Sequence, residues 1–326
     1  MAGFKKDMAG NKSAGAAILK GKGFGTVVVF IVLCVFFSVA SDKFLKVDNL
    51  LNILLQISTL TIISMGMTWV IISGGIDLSV GASVAFCGVA VAMLIKFYHL
   101  PVAMGVFVSI LIGGIIGCMN GIMVTKVNIP PLLATIGMST AIRGLAFIIC
   151  DGNTIFGLPP GFTTLGRGYI GIVPIPVLIA IVVVAFFWFI QNKSAFSIYT
   201  YAIGNNEDSA FLSGIKTKRH KASLYIIIGF LAGLAAFINA SRTGVGLAST
   251  GENMDFDVVT AVVLGGTSIA GGSGKISGTV LGCIIMGVLA NGMMILNMQS
   301  FAQQFVKGVI LLIAIGAETI RMKKEL

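Results

Sequence analysis

The sequence predicts an all-α polytopic membrane protein with about ten transmembrane helices. Three observations lead there. Of its 326 residues 56% are hydrophobic and only 10% charged, and mean hydropathy is +1.01; a soluble domain carries about a quarter charged residues. Apolar segments recur near 24–40, 50–72, 78–95, 101–124, 132–149, 174–190, 222–240, 257–270, 276–293 and 305–320, most of them long enough to cross a ~30 Å hydrocarbon core. The basic residues also alternate from side to side of those segments.

That alternation accounts for the net charge of +10. With the N-terminus inside, Lys5, Lys6, Lys12, Lys20, Lys22, Lys126, Lys193, Lys216, Lys218, Arg219, Lys221, Lys275, Arg321, Lys323 and Lys324 fall on the cytoplasmic side. Only Lys43, Lys46, Lys96, Arg167 and Arg242 fall outside, while Arg143 and Lys307 lie within spans. This is the positive-inside pattern, so the basicity encodes orientation and gives no reason to expect a nucleic-acid partner. Both termini come out cytoplasmic: a tail over 1–23, one permease domain over 24–320, and a short tail over 321–326.

The first span, with lysines before it and Ser38-Val39-Ala40 at its end, has the outline of a cleavable signal, but its length favours an uncleaved helix. Segment 257–270 has a clean apolar run only from Val258 to Leu264 before Gly265-Gly266. A short, broken or re-entrant helix is expected there, shielded by protein. Glycines cluster on other spans, at Gly113, Gly114, Gly117 and Gly121 and again at Gly278, Gly282 and Gly287, a spacing that lets helices approach closely in lipid. The outer loop 151–173, with Pro159-Pro160 and Arg167, reads as an ordered cap, and Pro174 and Pro176 open the next span.

Two glycine-broken segments share the pattern G-G-x-x-[LI]-x-x-G: Gly74 to Gly81 and Gly265 to Gly272. Paired interruptions of this kind mark substrate paths in transporters. Asp77 there is expected to cap a helix beginning at Leu78.

Several chemistries are excluded. Gly274-Lys275 lacks both the first glycine and the Ser or Thr of a phosphate-binding loop. His99 and His220 have no carboxylate or thiol at ligand spacing and read as solvated loop residues. Cys34, Cys87, Cys118, Cys150 and Cys283 form no paired motif, so neither a disulfide framework nor a metal site is expected. Ion coupling needs ionisable groups at depth. Asp255 and Asp257, with Glu252, read as preceding a helix from Val258, Lys307 as snorkelling, and Arg143 as facing the protein interior, which leaves an ion-coupled transporter or a membrane enzyme as distant alternatives.

The long polar stretch 191–221 remains. Within it 204–215 reads as one short helix capped by Asn205 or Asn206, with Glu207 and Asp208 in its first turn, an apolar face of Ala210, Phe211 and Leu212, and Gly214 at its end. Such an element suits a groove on a soluble partner.

At these residues the chain resembles the membrane permeases of bacterial ABC sugar importers, the ribose-type branch. The matching segments are Met67-Thr68-Trp69-Val70-Ile71 into Gly74–Gly81, then Asn120-Gly121, Arg143-Gly144, Ala202 to Glu207, Leu212 to Ile215, Ala261 to Gly272 and Asn291-Gly292. They keep their order from about Lys43 to the C-terminus. The resemblance implies a vitamin-B12-type importer permease fold in the inner membrane, moving a monosaccharide, ribose-like by default, with autoinducer-2 or another sugar or polyol as the alternative. It also implies a homodimer or a paralogous pair of permeases and an extracytoplasmic sugar-binding protein. A cytoplasmic ATPase with two fused nucleotide-binding domains would bind the ATP and Mg, leaving no cofactor in this chain. By the same resemblance Gly204, Asn205, Asn206, Glu207, Ala210, Phe211, Leu212, Ser213 and Gly214 form the coupling helix. Asp77, Ser79, Asn120, Thr267, Ser268 and Asn291, the polar residues near the broken segments, are the candidates for the translocation path.

Overall fold

The computed structural model describes residues 24–325; the N-terminal tail expected over 1–23 lies outside them. The described residues are mostly helical. The long helices are α1 (Phe24–Ala40), α2 (Val47–Ile72), α3 (Val80–Phe97), α4 (Val102–Thr125) and α5 (Pro131–Ile149). After a loop with a 3-10 turn, a one-turn helix α6 (Thr164–Arg167) and a small hairpin β1–β2 come α7 (Ile175–Lys193), α8 (Ala195–Asn205) and α9 (Glu207–Leu212). Then follow α10 (Thr217–Thr243), α11 (Met254–Leu264), α12 (Ile276–Ile295) and α13 (Ser300–Glu325).

Among the described residues seven helices are long and apolar enough to cross a membrane: α2, α3, α4, α5, α7, α10 and α12. Apolar stretches of α1 and α13 are shorter, and α11 has only 11 residues. The sequence placed helix starts later than they fall. α10 begins at Thr217 and takes in His220, while α13 begins at Ser300 and runs on to Glu325.

The two halves of the fold are joined by α4 and α10, whose backbones touch. A Cβ on Gly113 would overlap the carbonyl of Gly229, one on Gly117 the carbonyl of Tyr225, and one on Gly233 the carbonyl of Ser109. The Ser109 hydroxyl donates to Gly233 O at 2.7 Å. Small residues at four-residue intervals on both helices thus replace side-chain packing with backbone contact, as expected where lipid offers no hydrophobic drive to association. Gly229→Leu should lower the melting temperature of the purified protein by several degrees, because the added carbons have no space to enter.

Two of the non-helical linkers that lie among the helices are residues 73–79 and 244–253. Residues 73–79 turn the chain from α2 to α3, with Gly74 at φ 77°. Residues 244–253 leave α10 through Gly244, a left-handed C-cap at φ 81°. They then run beside α3: Gly246 lies against Ala92 and Gly88, and Gly251 against Gly81. Gly246 exchanges both backbone hydrogen bonds with Ile155 of the loop after α5, at 2.9 and 3.0 Å. That loop is an ordered cap: Arg167 donates to Arg242 O and Thr243 O, each at 2.7 Å.

Arg143, twelve residues beyond the start of α5, faces inward. Its Nη1 donates to Ala248 O at 2.8 Å and Thr250 O at 2.6 Å, so it holds carbonyls that the turns of the 244–253 segment leave free. Irregular backbone at this depth persists only where protein satisfies it.

Candidate functional site

The polar stretch between α7 and α10 folds into two helices instead of one. Asn206 is the hinge between them. Its φ of −161° breaks the helix after Asn205, and its side chain accepts from Ser209 N at 2.8 Å to cap the next. Gly204 and Asn205 therefore belong to α8. Helix α9 carries Glu207 and Asp208 in its first turn, where negative charge meets the free N–H groups. It ends at Gly214, φ 87°, with Gly214 N donating to Phe211 O and Ile215 N to Ala210 O. Ala210 is buried beneath it, while Phe211 and Leu212 are 66% and 85% exposed. An exposed Phe-Leu pair on a six-residue helix is a knob without a hole in this chain. Beside it a cleft of about 560 Å³ is lined by Glu207, Asp208, Phe211, Lys216, Lys218 and Arg219. The Lys221–Glu207 pair at 2.8 Å ties α9 to α10; being partly exposed, it contributes at most about 1 kcal/mol.

Helix α8 is seated more deeply. Phe196 stacks on Trp69 of α2, ring centroids 5.1 Å apart, and lies 4.3 Å from the His220 ring. His220 is no solvated loop residue: it sits in α10 with Nε2 2.8 Å from Thr200 Oγ1. Tyr201 accepts from Gln191 Nε2 at 2.7 Å and donates to Gly274 O at 2.6 Å, while Gln191 Oε1 receives Ile276 N at 3.0 Å. Burial pushes the Tyr201 phenol above its ordinary pKa, against the Gln191 bond that lowers it, so it keeps the proton it donates.

At its C-terminal end α8 meets both glycine-broken segments. A Cβ on Gly204 would overlap Ile72 O and crowd Gly272 N. Gly272 N donates to Ile72 O at 2.8 Å. A Cβ on Gly271 would stand 3.0 Å from Gly204 O and 3.1 Å from Gly74 N. The two segments that share a sequence pattern therefore touch each other, backbone to backbone, with α8 wedged on top.

The candidate pathway residues come to rest in three separate places. Asp77, Ser79 and Asn120 form one buried cluster. Asp77 Oδ1 accepts from Ser79 N at 2.9 Å and Ser79 Oγ at 2.6 Å, and Asn120 Nδ2 donates to Ser79 Oγ at 2.7 Å and Asp77 Oδ2 at 3.2 Å. Asp77 is not the helix cap that the sequence suggested: α3 starts at Val80 without a side-chain cap, and Asp77 closes the turn before it. Thr267 and Ser268 lie buried in the second broken segment, and Thr267 Oγ1 has no hydrogen-bond partner among the described residues. Asn291 exchanges reciprocal 2.9 Å bonds with Asn49 across α12 and α2. That is an inter-helix clasp near the opposite end of α2 from Ile72.

Two acidic residues and a lysine also differ from expectation. Helix α11 begins at Met254, so Asp255 and Asp257 stand in its first turn instead of before it. Lys307 does not snorkel; its Nζ meets Asp257 Oδ2 at 2.6 Å. The pair borders a cavity of about 450 Å³ with Gln56, Asn239, Arg242 and Glu252. Gln56 and Asn239 stand in the sequence as amides within apolar spans, the one signal there that could have pointed to them. No group of His, Cys, Asp and Glu among the described residues could hold a metal ion.

Comparison with known proteins closes the question of family. The family model described as the permease component of branched-chain amino acid transport systems matches residues 49–315. The ribose import permease of Bacillus subtilis is 40% identical over 293 residues, 89% of this chain and 91% of its own. The D-allose transport system permease of Escherichia coli is 32% identical over 301 residues, 92% of each chain. The L-arabinose permease of Azospirillum brasilense is 34% identical over 291 residues, 89% of this chain and 86% of its own. No solved structure matches. Coverage this full places the chain, a multi-pass membrane transport subunit and not an ATPase, among the permease subunits of bacterial ABC importers, in the ribose-type sugar-import family.

Proposed function

We propose that this permease carries a monosaccharide, a ribose-like pentose first, across the inner membrane by alternating access. Ten crossings are proposed: the seven long helices, the shorter α1 and α13, and α11 as a half-helix completed by the irregular residues 244–253. This puts both termini and α8–α9 in the cytoplasm and gives the vitamin-B12-type importer architecture. Two copies, or this chain and a paralogue, would enclose the path. A sugar-binding protein would dock outside, and an ATPase with two fused nucleotide-binding domains would bind ATP and Mg inside.

The observation that carries the mechanism is the wedge of α8 on both broken segments, with the exposed Phe211-Leu212 pair directly after it. A conformational change follows from ATP only if the ATPase interacts differently with two states of the permease. Helix α9 supplies the surface for that interaction, and Gly204 passes the displacement to residues 72–74 and 271–272. Asp77, Ser79, Asn120, Thr267, Ser268 and Asn291 then act in holding the helices around the path, since most of their polar atoms are satisfied within the chain.

ATP-dependent uptake of D-ribose into vesicles containing permease, ATPase and binding protein tests the reading. Uptake driven by an ion gradient without those partners, or uptake of leucine in place of ribose, arabinose and allose, would overturn it. Leu212→Asp should weaken the ATPase–permease complex at least tenfold, read by co-purification and by uptake, while the melting temperature of the isolated permease stays within a degree or two; an exposed side chain adds little to folding but much to a docked interface. Gly214→Ala should lower uptake more mildly, by straining the left-handed turn that ends α9.

A further inference from the structure

The cavity bordered by the Asp257–Lys307 pair lies near the opposite end of the protein from α9. Gln56 stands nine residues beyond the start of α2, roughly 13 Å along the helix. Arg242 is one residue from the end of α10, and Lys307 seven residues into α13. All of these ends lie on the side away from the α8 wedge. A volume of about 450 Å³ falls within the range of small-molecule sites.

Its chemistry is selective. Gln56, Asn239 and Arg242 are partly buried, and their side chains make no hydrogen bond among the described residues. The two amides offer donors and acceptors together, and the guanidinium offers donors in a fixed fork. Asp257 and Lys307 neutralise one another at 2.6 Å, and Glu252 offsets the charge of Arg242 on the same lining, so the cavity does not demand an ion. Leu60, Met286 and Met294 supply an apolar wall. Unpaired polar groups of mixed sense around one apolar face match a neutral polyhydroxylated ring, whose hydroxyls both donate and accept and whose C–H face is apolar.

We propose that this outer cavity is a sugar subsite within the permease, in which Gln56, Asn239 and Arg242 take up the hydroxyls of a monosaccharide arriving from the binding protein. The subsite rests on the sugar-import reading above. It replaces a dispersed set of polar residues with one defined station on the path. The site is shallow in energy by design: a conduit must bind well enough to accept its cargo and weakly enough to release it.

The test uses the whole transporter in proteoliposomes, with ribose-loaded binding protein outside. Gln56→Ala and Asn239→Ala should each lower D-ribose uptake at saturating binding protein at least tenfold, with the half-saturating concentration of binding protein changed less than threefold. Uptake within twofold of wild type for both variants overturns the subsite and leaves the importer reading standing. Failure of the wild-type complex to move ribose, arabinose or allose overturns the importer reading and the subsite with it. A second measurement covers poor assembly of the alanine variants. Ala290→Cys, at a lining position given no hydroxyl to hold, should react in the assembled complex with a small hydrophilic thiosulfonate above the background of the five native cysteines, and ribose turnover should slow that reaction severalfold. No reaction, or reaction at the same rate with and without ribose turnover, overturns the subsite.

Discussion

Arg143→Met should cut transport at least a hundredfold and destabilise the purified permease by about 3–5 kcal/mol, the sum expected for two charge-assisted hydrogen bonds to buried carbonyls. Both bonds come from one nitrogen of the guanidinium, to Ala248 O and Thr250 O. Those carbonyls belong to the irregular segment 244–253, whose successive turns leave them without a backbone partner. Methionine matches the length of the arginine stem, so the loss reports the hydrogen bonds more than packing. Without them the segment must find water or refold, and α11 loses its fixed start. Glu252 and Asp255, both near enough to interact with the arginine charge, would be left without it. Arg143→Lys should fall between, because its ammonium keeps the charge and the donors but sits on a shorter stem that cannot bring them to both carbonyls at once. Thermal unfolding in detergent and uptake in vesicles measure the two effects. Wild-type uptake by Arg143→Met would mean that the 244–253 segment needs no internal support.

The repeated Gly-Gly pattern, the α4 glycines and the inward-facing Arg143 were all readable from sequence, because backbone contact and buried charge leave a mark at single positions. Partners are another matter. Nothing along the chain says that Lys307 meets Asp257 fifty residues earlier, and a lysine in an apolar helix is equally well explained by snorkelling. The division of 204–215 was hidden for a different reason. Asn205 and Asn206 are both good caps, and which one breaks the helix is decided by the packing of Gly204 against Ile72 and Gly272, a tertiary effect. The pathway candidates scattered for the same cause. A buried Asn or Thr is as suited to an inter-helix bond, such as Asn291 with Asn49, as to a substrate, and only the fold distinguishes them.

Gly204→Val should abolish transport while leaving most of the helical fold in place. The side chain cannot enter the wedge: its first carbon alone would overlap Ile72 O. Either α8 lifts away from the two broken segments or those segments part from each other, and the Gly272 N–Ile72 O bond is lost in the second case. Overpacking of this kind costs about 1–3 kcal/mol where neighbours can shift, and here the neighbours are backbone. The larger effect falls on coupling. With α8 displaced, Phe211 and Leu212 still reach the ATPase, but their movement no longer arrives at residues 72–74 and 271–272. ATP hydrolysis should continue in the assembled complex while ribose uptake falls below a hundredth of wild type. Gly204→Ala should show the same signature more weakly, since one methyl demands a smaller displacement. The pair separates force transmission from docking, because Leu212→Asp removes the contact with the ATPase and Gly204→Val keeps it. Parallel loss of hydrolysis and uptake in Gly204→Val would place the fault in docking and overturn the wedge as the transmitting element.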